Sequence, residues 1–525
     1  MGSVRQTEGI LRSWRDHLPP GSRLEADDLL VSGTLLRAWS ALWGEAPRAP
    51  LLQDAASNTG VAFLAGTAHR AGTWWSAEEF DAATRRAAGR LAAVGLHPGD
   101  RVMWSTGSSV SSIICHIGAL RAGLVVVPAN TAYTQREIAY IVSEVRPAAA
   151  IVDDPARGRW ARDASDRPLV VAAPDLDLPD GEPGQLDTAK PDDPALICFT
   201  SGTTGSPKGA VLSHGNLLAA TRAVNVAWRW GPADRLIHCL PVFHAHGLCV
   251  GIYGTLLSGG SALLLPGFDP DAVAEAAAGG DTSLFFGVPT MYHRLARSAR
   301  ASELGRLRLC VSGSAPLPAD LHRRIEAVTG MSVLERYGMT ETLMIASNPY
   351  DGERRPGTVG FPLPGVEIRL DADGEIELRG PNVFAGYWQR PISTSQALVD
   401  SDDGGYPWFR TGDLGTIDDG YLTIRGRSKE LIISGGFNVY PTEVEEVLLT
   451  HPGVAEVAVT GTPSDEWGEV VTAWIVADGP APSAEELSVH TAERLAAYKR
   501  PRIVRVIDAL PRNALGKVVR SELGR

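Results

Sequence analysis

One arrangement, used four times, constrains the fold most. A short, strongly apolar run ends in a polar or glycine-rich loop: ALICFT leads into SGTTG, SLFFG into VPTMYHR, LRLCV into SGSAPL, and SVLE into RYGMTE. Such runs read as strands. In open α/β sheets the ligand crevice lies beyond the carboxyl ends of the strands. Four loops of this kind can converge on one site if their strands are neighbours in space. Upstream, helical and extended patterns alternate: EEFDAATRRAAGRLAAVGL then HPGDRVMW, SSIICHIGALRAG then LVVVPAN, REIAYIVSEVRP then AAAIVDD. That alternation predicts a largely parallel α/β architecture. The Asp- and Pro-rich residues 154–194 read as loop, and residues 1–45 as an irregular or partly helical leader.

A chain of 525 residues is too long for one compact core, so two or more domains are expected. The pattern changes near GRSKELIISGG, Gly426 to Gly436. Alternating VAEVAVTG and VVTAWIV follow, then the helical SAEELSVHTAERLAAY, which together suit a small α+β domain. DGYLTIRGR reads as a hairpin end, so the boundary falls between residues 427 and 428. The predicted organisation is a large N-terminal domain, 1–427, of mixed, largely parallel sheets flanked by helices, and a small α+β C-terminal domain, 428–525. With 49 basic against 61 acidic residues the net charge is -12, which argues against a nucleic-acid partner. The five cysteines are scattered without a CxxC pair and read as reduced core residues of a cytoplasmic protein. The N-terminus lacks a signal-peptide apolar region, and the longest apolar zone, Leu236 to Phe268, is too interrupted for a membrane span.

The richest loop is TSGTTGSPKG, Thr200 to Gly209. Small residues let backbone N–H groups approach an anion closely. Thr200, Ser201, Thr203 and Thr204 add hydroxyl donors, and Lys208 adds a point charge. Phosphate oxygens are the natural target. The loop is not a Walker A motif, which needs Ser or Thr after Gly-Lys; here Lys208 lies between Pro207 and Gly209. On these residues alone, a phosphate cradle and a plain surface loop both fit.

Seven segments taken in order resemble the adenylate-forming superfamily of acyl-CoA synthetases, luciferases and peptide-synthetase adenylation domains. They are TSGTTGSPKG, LPVFHAHGL, VSGSAPL, ERYGMTET, WFRTGDLG, GRSKELIISGGFNVYPTEVE and PRNALGK. Within that superfamily NTAYT, HAHGL, GVPTMYHRL, SNPYDG and GGFNVYP are similar to malonyl-CoA synthetases. The chain departs from them at Ile345-Ala346, where Asn-Thr is frequent, and in its longer leader.

The resemblance implies an ATP-dependent acid–CoA ligase that forms an acyl-adenylate and then an acyl-CoA thioester. ATP, Mg²⁺ and CoA would be its cofactors and co-substrates. Thr200, Ser201, Thr203, Thr204 and Lys208 would hold the terminal phosphates, and Glu341 with Thr200 the Mg²⁺. Gly313, Ser314 and Ala315 would face Tyr337 across the adenine. Glu335, Arg336, Gly338, Met339 and Thr340 complete that nucleotide loop. Asp413 would accept from the ribose hydroxyls, which its two oxygens suit, with Arg427 beside it. Lys517 would bridge the reacting carboxylate and the α-phosphate. The small domain would be mobile and rotate about Lys429, bringing Ser434, Gly435, Gly436 and Phe437 to the thiol tunnel.

The choice of acid turns on charge. A second carboxylate needs a buried cation. Arg336 and Arg294 can supply one bidentately. His244 and His246, which form no evident metal triad, read as walls of the acyl pocket or tunnel, with His244 also a catalytic candidate. The leading substrate is malonate or methylmalonate. A medium-chain or aryl acid, a carrier protein loaded in trans and a non-catalytic nucleotide-binding protein are the alternatives, and the oligomeric state is open.

Overall fold

The computed structural model describes residues 10–55, 62–64, 67–69, 72–200, 207–464, 466–512 and 518–524. Two large sheets dominate. The first runs, by neighbouring strands, Phe361–Pro362, Leu343–Ser347, Leu334–Met339, Leu309–Ser312, Leu284–Gly287, Arg235–His238, Ser261–Leu264, Pro50–Asp54 and Trp75–Ser76. The second runs Gly386–Tyr387, Lys208–Ser213, Pro194–Thr200, Val125–Pro128, Arg101–Ser105, Ala149–Val152 and Val170–Ala172. The inner strands of both are parallel, and antiparallel pairs lie towards the edges.

Alternation along these strands explains their apolar runs. Val102 and Trp104 point into the largest core cluster, while Met103 between them joins a second cluster under the outer helices. In the other sheet Leu284 and Phe286 enter the same large cluster, and Phe285 enters a third. Each strand thus buries both faces: one in the core shared by the two sheets, the other beneath a covering helix layer. The helices start on local signals. Ser76 caps Ala77–Ala93 in a capping box with Glu79, and Thr134 does the same for Gln135–Val145 with Glu137.

One expectation needs correction and one open question is answered. Residues 154–194 are not all loop, because Pro155–Ala164 is a helix and Val170–Ala172 an edge strand. Asp154 caps that helix and Pro155 takes its first turn. Nor do the four loop-bearing strands share one sheet. Those ending at Gly287, Ser312 and Met339 are adjacent in the first sheet, whereas Pro194–Thr200 belongs to the second.

A five-stranded antiparallel sheet carries Trp408–Asp418 against Tyr421–Arg427. Beyond Arg427 the chain makes one short turn, Ser428–Glu430, and enters a separate five-stranded sheet beginning at Ile432–Ser434. That sheet has its own core, including Ile432, Val444, Val459, Val471 and Ile475. No helix among the described residues is long and apolar enough to cross a membrane.

Candidate active site

Thr200 and Lys208 face each other at the last pair of an antiparallel hairpin, and the Thr200 hydroxyl donates to the Lys208 carbonyl at 3.4 Å. Ser201, Thr203 and Thr204 lie beyond that pair, outside the described residues. Tyr140 pins the base of the loop by donating to the Pro207 carbonyl at 2.7 Å. Two residues past Lys208, Ala210 pairs with Tyr387 of the edge strand. Period two puts Lys208 on the same face as Ala210, and its ammonium stands 5.0 Å from the centre of the Tyr387 ring. The Tyr387 hydroxyl donates to Glu341 Oε1 at 2.9 Å. Tyr387 therefore joins the phosphate-loop candidate to the metal candidate across the two sheets.

Glu341 sits in the turn between Leu334–Met339 and Leu343–Ser347 and is almost fully buried. Burial pushes its carboxyl above the usual range, against the Tyr387 hydrogen bond and the charge of Arg427; Asp413 adds to the rise. A buried carboxylate of this kind fits Mg²⁺, a hard ion that takes oxygen ligands and keeps several waters and phosphate oxygens around a single carboxylate. The described residues contain no cluster of three or more His, Cys, Asp or Glu able to hold a metal unaided.

Asp413 is aimed by a bulge. The pairing of Trp408–Asp418 with Glu375–Arg379 shifts register across Thr411 to Asp413, where Gly412 takes φ +71° and donates to Glu375 Oε1 at 2.9 Å. Asp413 stands directly opposite Arg427 on the neighbouring strand, whose Nε lies 3.0 Å from Oδ1. Oδ2 accepts from the Tyr337 hydroxyl. Burial alone would lower the Arg427 pKa, but the negative charge beside it raises it on balance. Lys208, Tyr387 and Glu341 thus form one linked set and Arg427, Asp413 and Tyr337 another, and the charges of Arg427 and Asp413 act on Glu341.

The other nucleotide candidates lie at the ends of adjacent strands. Ser312 pairs with Glu335, so Gly313, Ser314 and Ala315 leave one strand beside Arg336 and Tyr337 of the next. Gly338 and Met339 end that strand and Thr340 opens the turn after it, all three half-buried. A Cβ at Gly338 would lie 2.0 Å from the Leu343 carbonyl oxygen, so this hairpin needs glycine there. Glu335 departs from the expectation. It is buried, and its Oε1 accepts from Leu317 N at 2.8 Å. It props up the Gly313–Ala315 loop from behind rather than facing the crevice, because side chains alternate along a strand and Arg336 takes the crevice face.

Arg336 is 4% exposed, and its Nε and Nη2 meet no hydrogen-bond partner among the described residues. Burial pushes its pKa down to about 9, so it stays cationic at neutral pH. His244 accepts a hydrogen bond at Nδ1 from His246 N at 3.3 Å. Burial, then the Arg336 charge, pushes His244 down to about 4 and lowers His246 as well, so both rings are neutral at pH 7. His246 Nδ1 is 3.3 Å from the Ser314 hydroxyl, and its Nε2 has no partner among the described residues. The segment is not extended: His246–Ile252 is a π-helix. Arg294 is not brought to this group. It is exposed near the end of helix Pro289–Leu295, with its guanidinium 4.9 Å over the Phe268 ring.

At the domain junction Lys429 is exposed in the Ser428–Glu430 turn. Ser434 and Phe437 close a tight hairpin through Gly435 at φ +58° and Gly436 at φ +81°. Two consecutive residues with positive φ are what such a turn demands. Ser434 is buried, and the exposed Phe437 stacks on Tyr498 at 4.6 Å. Lys517 lies outside the described residues; Arg512 and Val518 pair on either side of its segment. Tyr387 and the propping role of Glu335 went unseen in the sequence. Nothing in AGYWQR signals that Tyr387 crosses to Ala210, and Glu335 looks like any other member of ERYG.

The family pattern described as AMP-binding enzyme matches residues 52–388, and that of the AMP-binding enzyme C-terminal domain matches 443–517. The chain is 37% identical over 472 residues to a feruloyl-CoA synthase of Amycolatopsis sp, covering 86% of this chain and 94% of that one. It is 39% identical to a malonate–CoA ligase of Arabidopsis thaliana, covering 63% and 60%, and 39% identical to a sulfoacetate–CoA ligase of Cupriavidus necator, covering 82% and 88%. The crystal structure of ATP-bound MatB from Rhodopseudomonas palustris superposes with TM-score 0.84 at 40% identity, over 93% of this chain and 98% of that one. The chain belongs to the AMP-binding enzyme family of the adenylate-forming superfamily and is an AMP-forming acid–CoA ligase.

Proposed function

We propose that the acid is a small dicarboxylate, malonate or methylmalonate. The observation that carries this reading is Arg336, a buried cation whose Nε and Nη2 have no partner among the described residues, in the same crevice as His244 and His246. Leaving a charge buried and unpaired costs several kcal/mol. A second carboxylate on the substrate relieves that cost, whereas an alkyl or aryl tail does not. The similarity to a malonate–CoA ligase supports the reading.

In the mechanism, a carboxylate oxygen of the acid attacks the α-phosphorus of ATP and diphosphate leaves. The thiol of CoA then attacks the acyl carbon and AMP leaves. Lys208 and the hydroxyls around it steady the terminal phosphates. Asp413, fixed by Arg427 and Tyr337, accepts from the ribose, and Tyr337 with Ser314 and Ala315 encloses the adenine. Glu341, with Thr200, would hold Mg²⁺, which supplies charge neutralisation on the phosphates. Lys517 balances charge on the reacting oxygens. Rotation about Lys429 exchanges it for the Ser434–Phe437 hairpin before thioester formation. The reaction runs in the cytoplasm, with free CoA rather than a carrier protein as acceptor.

The test is AMP and diphosphate release with malonate, methylmalonate, sulfoacetate, octanoate and ferulate, for the wild type and Arg336→Ala. Malonate or methylmalonate should lead, and Arg336→Ala should lower kcat/KM for it by about 10²-fold, the usual cost of truncating one partner of a buried charge pair. A wild type that prefers octanoate or ferulate contradicts the dicarboxylate reading. A preference for sulfoacetate keeps the cation's role and changes the acid.

A further inference from the structure

Gly313 follows directly on the strand Leu309–Ser312, whose last residue pairs with Glu335 next to Arg336. A Cβ built there would lie 2.3 Å from both Cζ and Nε of Arg336 and 2.9 Å from its Cδ. Real Cβ contacts do not come that close, so any other residue displaces the guanidinium. The backbone does not itself call for glycine at this position. Gly313 is absent from the residues with positive φ, while the next residue, Ser314, adopts φ +70° without being glycine. The missing side chain therefore serves the arginine: the guanidinium occupies the volume a methyl group at Gly313 would fill. Gly313 is itself buried and donates to the Gly287 carbonyl at 3.3 Å, so the strand end cannot swing away freely.

We propose that Gly313 is a specificity-determining residue, one that seats the Arg336 cation and so fixes how far the second anionic group of the acid stands from the reacting carboxylate. This rests on the reading of Arg336 given above. It differs from the adenine-wall role that the resemblance implies for Gly313, because the group it accommodates is the acid's cation and not the nucleotide.

The test compares Gly313→Ala, Arg336→Ala and the double variant, using malonate, octanoate and ATP as varied substrates and thermal melting as the fold control. Gly313→Ala should raise KM for malonate by about 10-fold or more, the scale of a misplaced positioning group. It should leave KM for ATP unchanged and not impair octanoate. In the Arg336→Ala background the same substitution should add no further loss with malonate. If Gly313→Ala alone melts early, the double variant should recover, since the displaced guanidinium is gone. A rise in KM for ATP shared by every acid overturns the proposal in favour of the adenine wall. An unchanged malonate KM in Gly313→Ala alongside a raised one in Arg336→Ala overturns it while leaving the Arg336 reading intact. An unchanged malonate KM in Arg336→Ala removes the reading beneath it, and failure of the double variant to recover shows that the strain lies elsewhere.

Discussion

Glu335 and Arg336 are consecutive residues in one strand, and burial acts on them in opposite ways. Burial lowers the arginine but leaves it charged, and raises the glutamate to about 8 from an ordinary 4.5, against the hydrogen bond from Leu317. Folded Glu335 therefore keeps a proton that the unfolded chain gives up between those two values. Its contribution to stability falls as pH rises through that window, and above about pH 8 the fold carries a buried carboxylate. Glu335→Gln keeps an acceptor for Leu317 and has no proton to lose. It should melt higher than the wild type at pH 8.5 by at least about 2 °C and show no advantage at pH 4.5. A difference independent of pH would contradict the assignment. At this scale the sequence was legible where chemistry is rare for its place. A cation before Tyr-Gly marks Arg336, and a carboxylate after Thr-Gly marks Asp413. Tyr387 was hidden because its role depends on a strand pairing between residues far apart in the chain.

Among elements, strands that bury both faces were readable from their unbroken apolar runs, and the helices between them from period and caps. One misreading and one unread element have local causes. The count of Asp and Pro in 154–194 outweighed the helix start that Asp154-Pro155 signals. The π-helix His246–Ile252 was not legible, since its wider turn leaves no simple period in the sequence. Which sheet each loop-bearing strand joins could not be read at all, since both sheets draw on the same residue types. The Gly435-Gly436 turn offers an element-scale test. A Cβ at Gly435 would meet the Trp467 ring at 2.8 Å and also strain a backbone at φ +58°. Gly435→Ala should therefore slow thioester formation from preformed acyl-adenylate by about 10-fold more than it slows adenylate formation. Equal losses in single-turnover measurements of the two half-reactions would remove the hairpin from the thiol step.

Across the whole molecule, the crevice exists because two sheets share one core and deliver loops to the same end. Lys208 arrives from one sheet, Glu341 and Tyr337 from the other, and Asp413 with Arg427 from the third sheet. The leader is tied into this frame. Arg12 N donates to the Gly420 carbonyl at 3.2 Å, and its guanidinium lies 4.3 Å over Phe361, on which buried His17 stacks at 4.2 Å. The Ser428–Glu430 turn is bound to the end of the chain by the Arg520–Glu430 ion pair at 2.9 Å. The sequence could reveal the loops and their order, but the convergence of three sheets is a property of packing. That convergence around one ATP is the central claim, and oxygen transfer tests it most directly. Malonate labelled with ¹⁸O in its carboxylates should yield AMP carrying one labelled oxygen per turnover and unlabelled diphosphate. Unlabelled AMP, or label in the diphosphate, would contradict attack of the acid on the α-phosphorus.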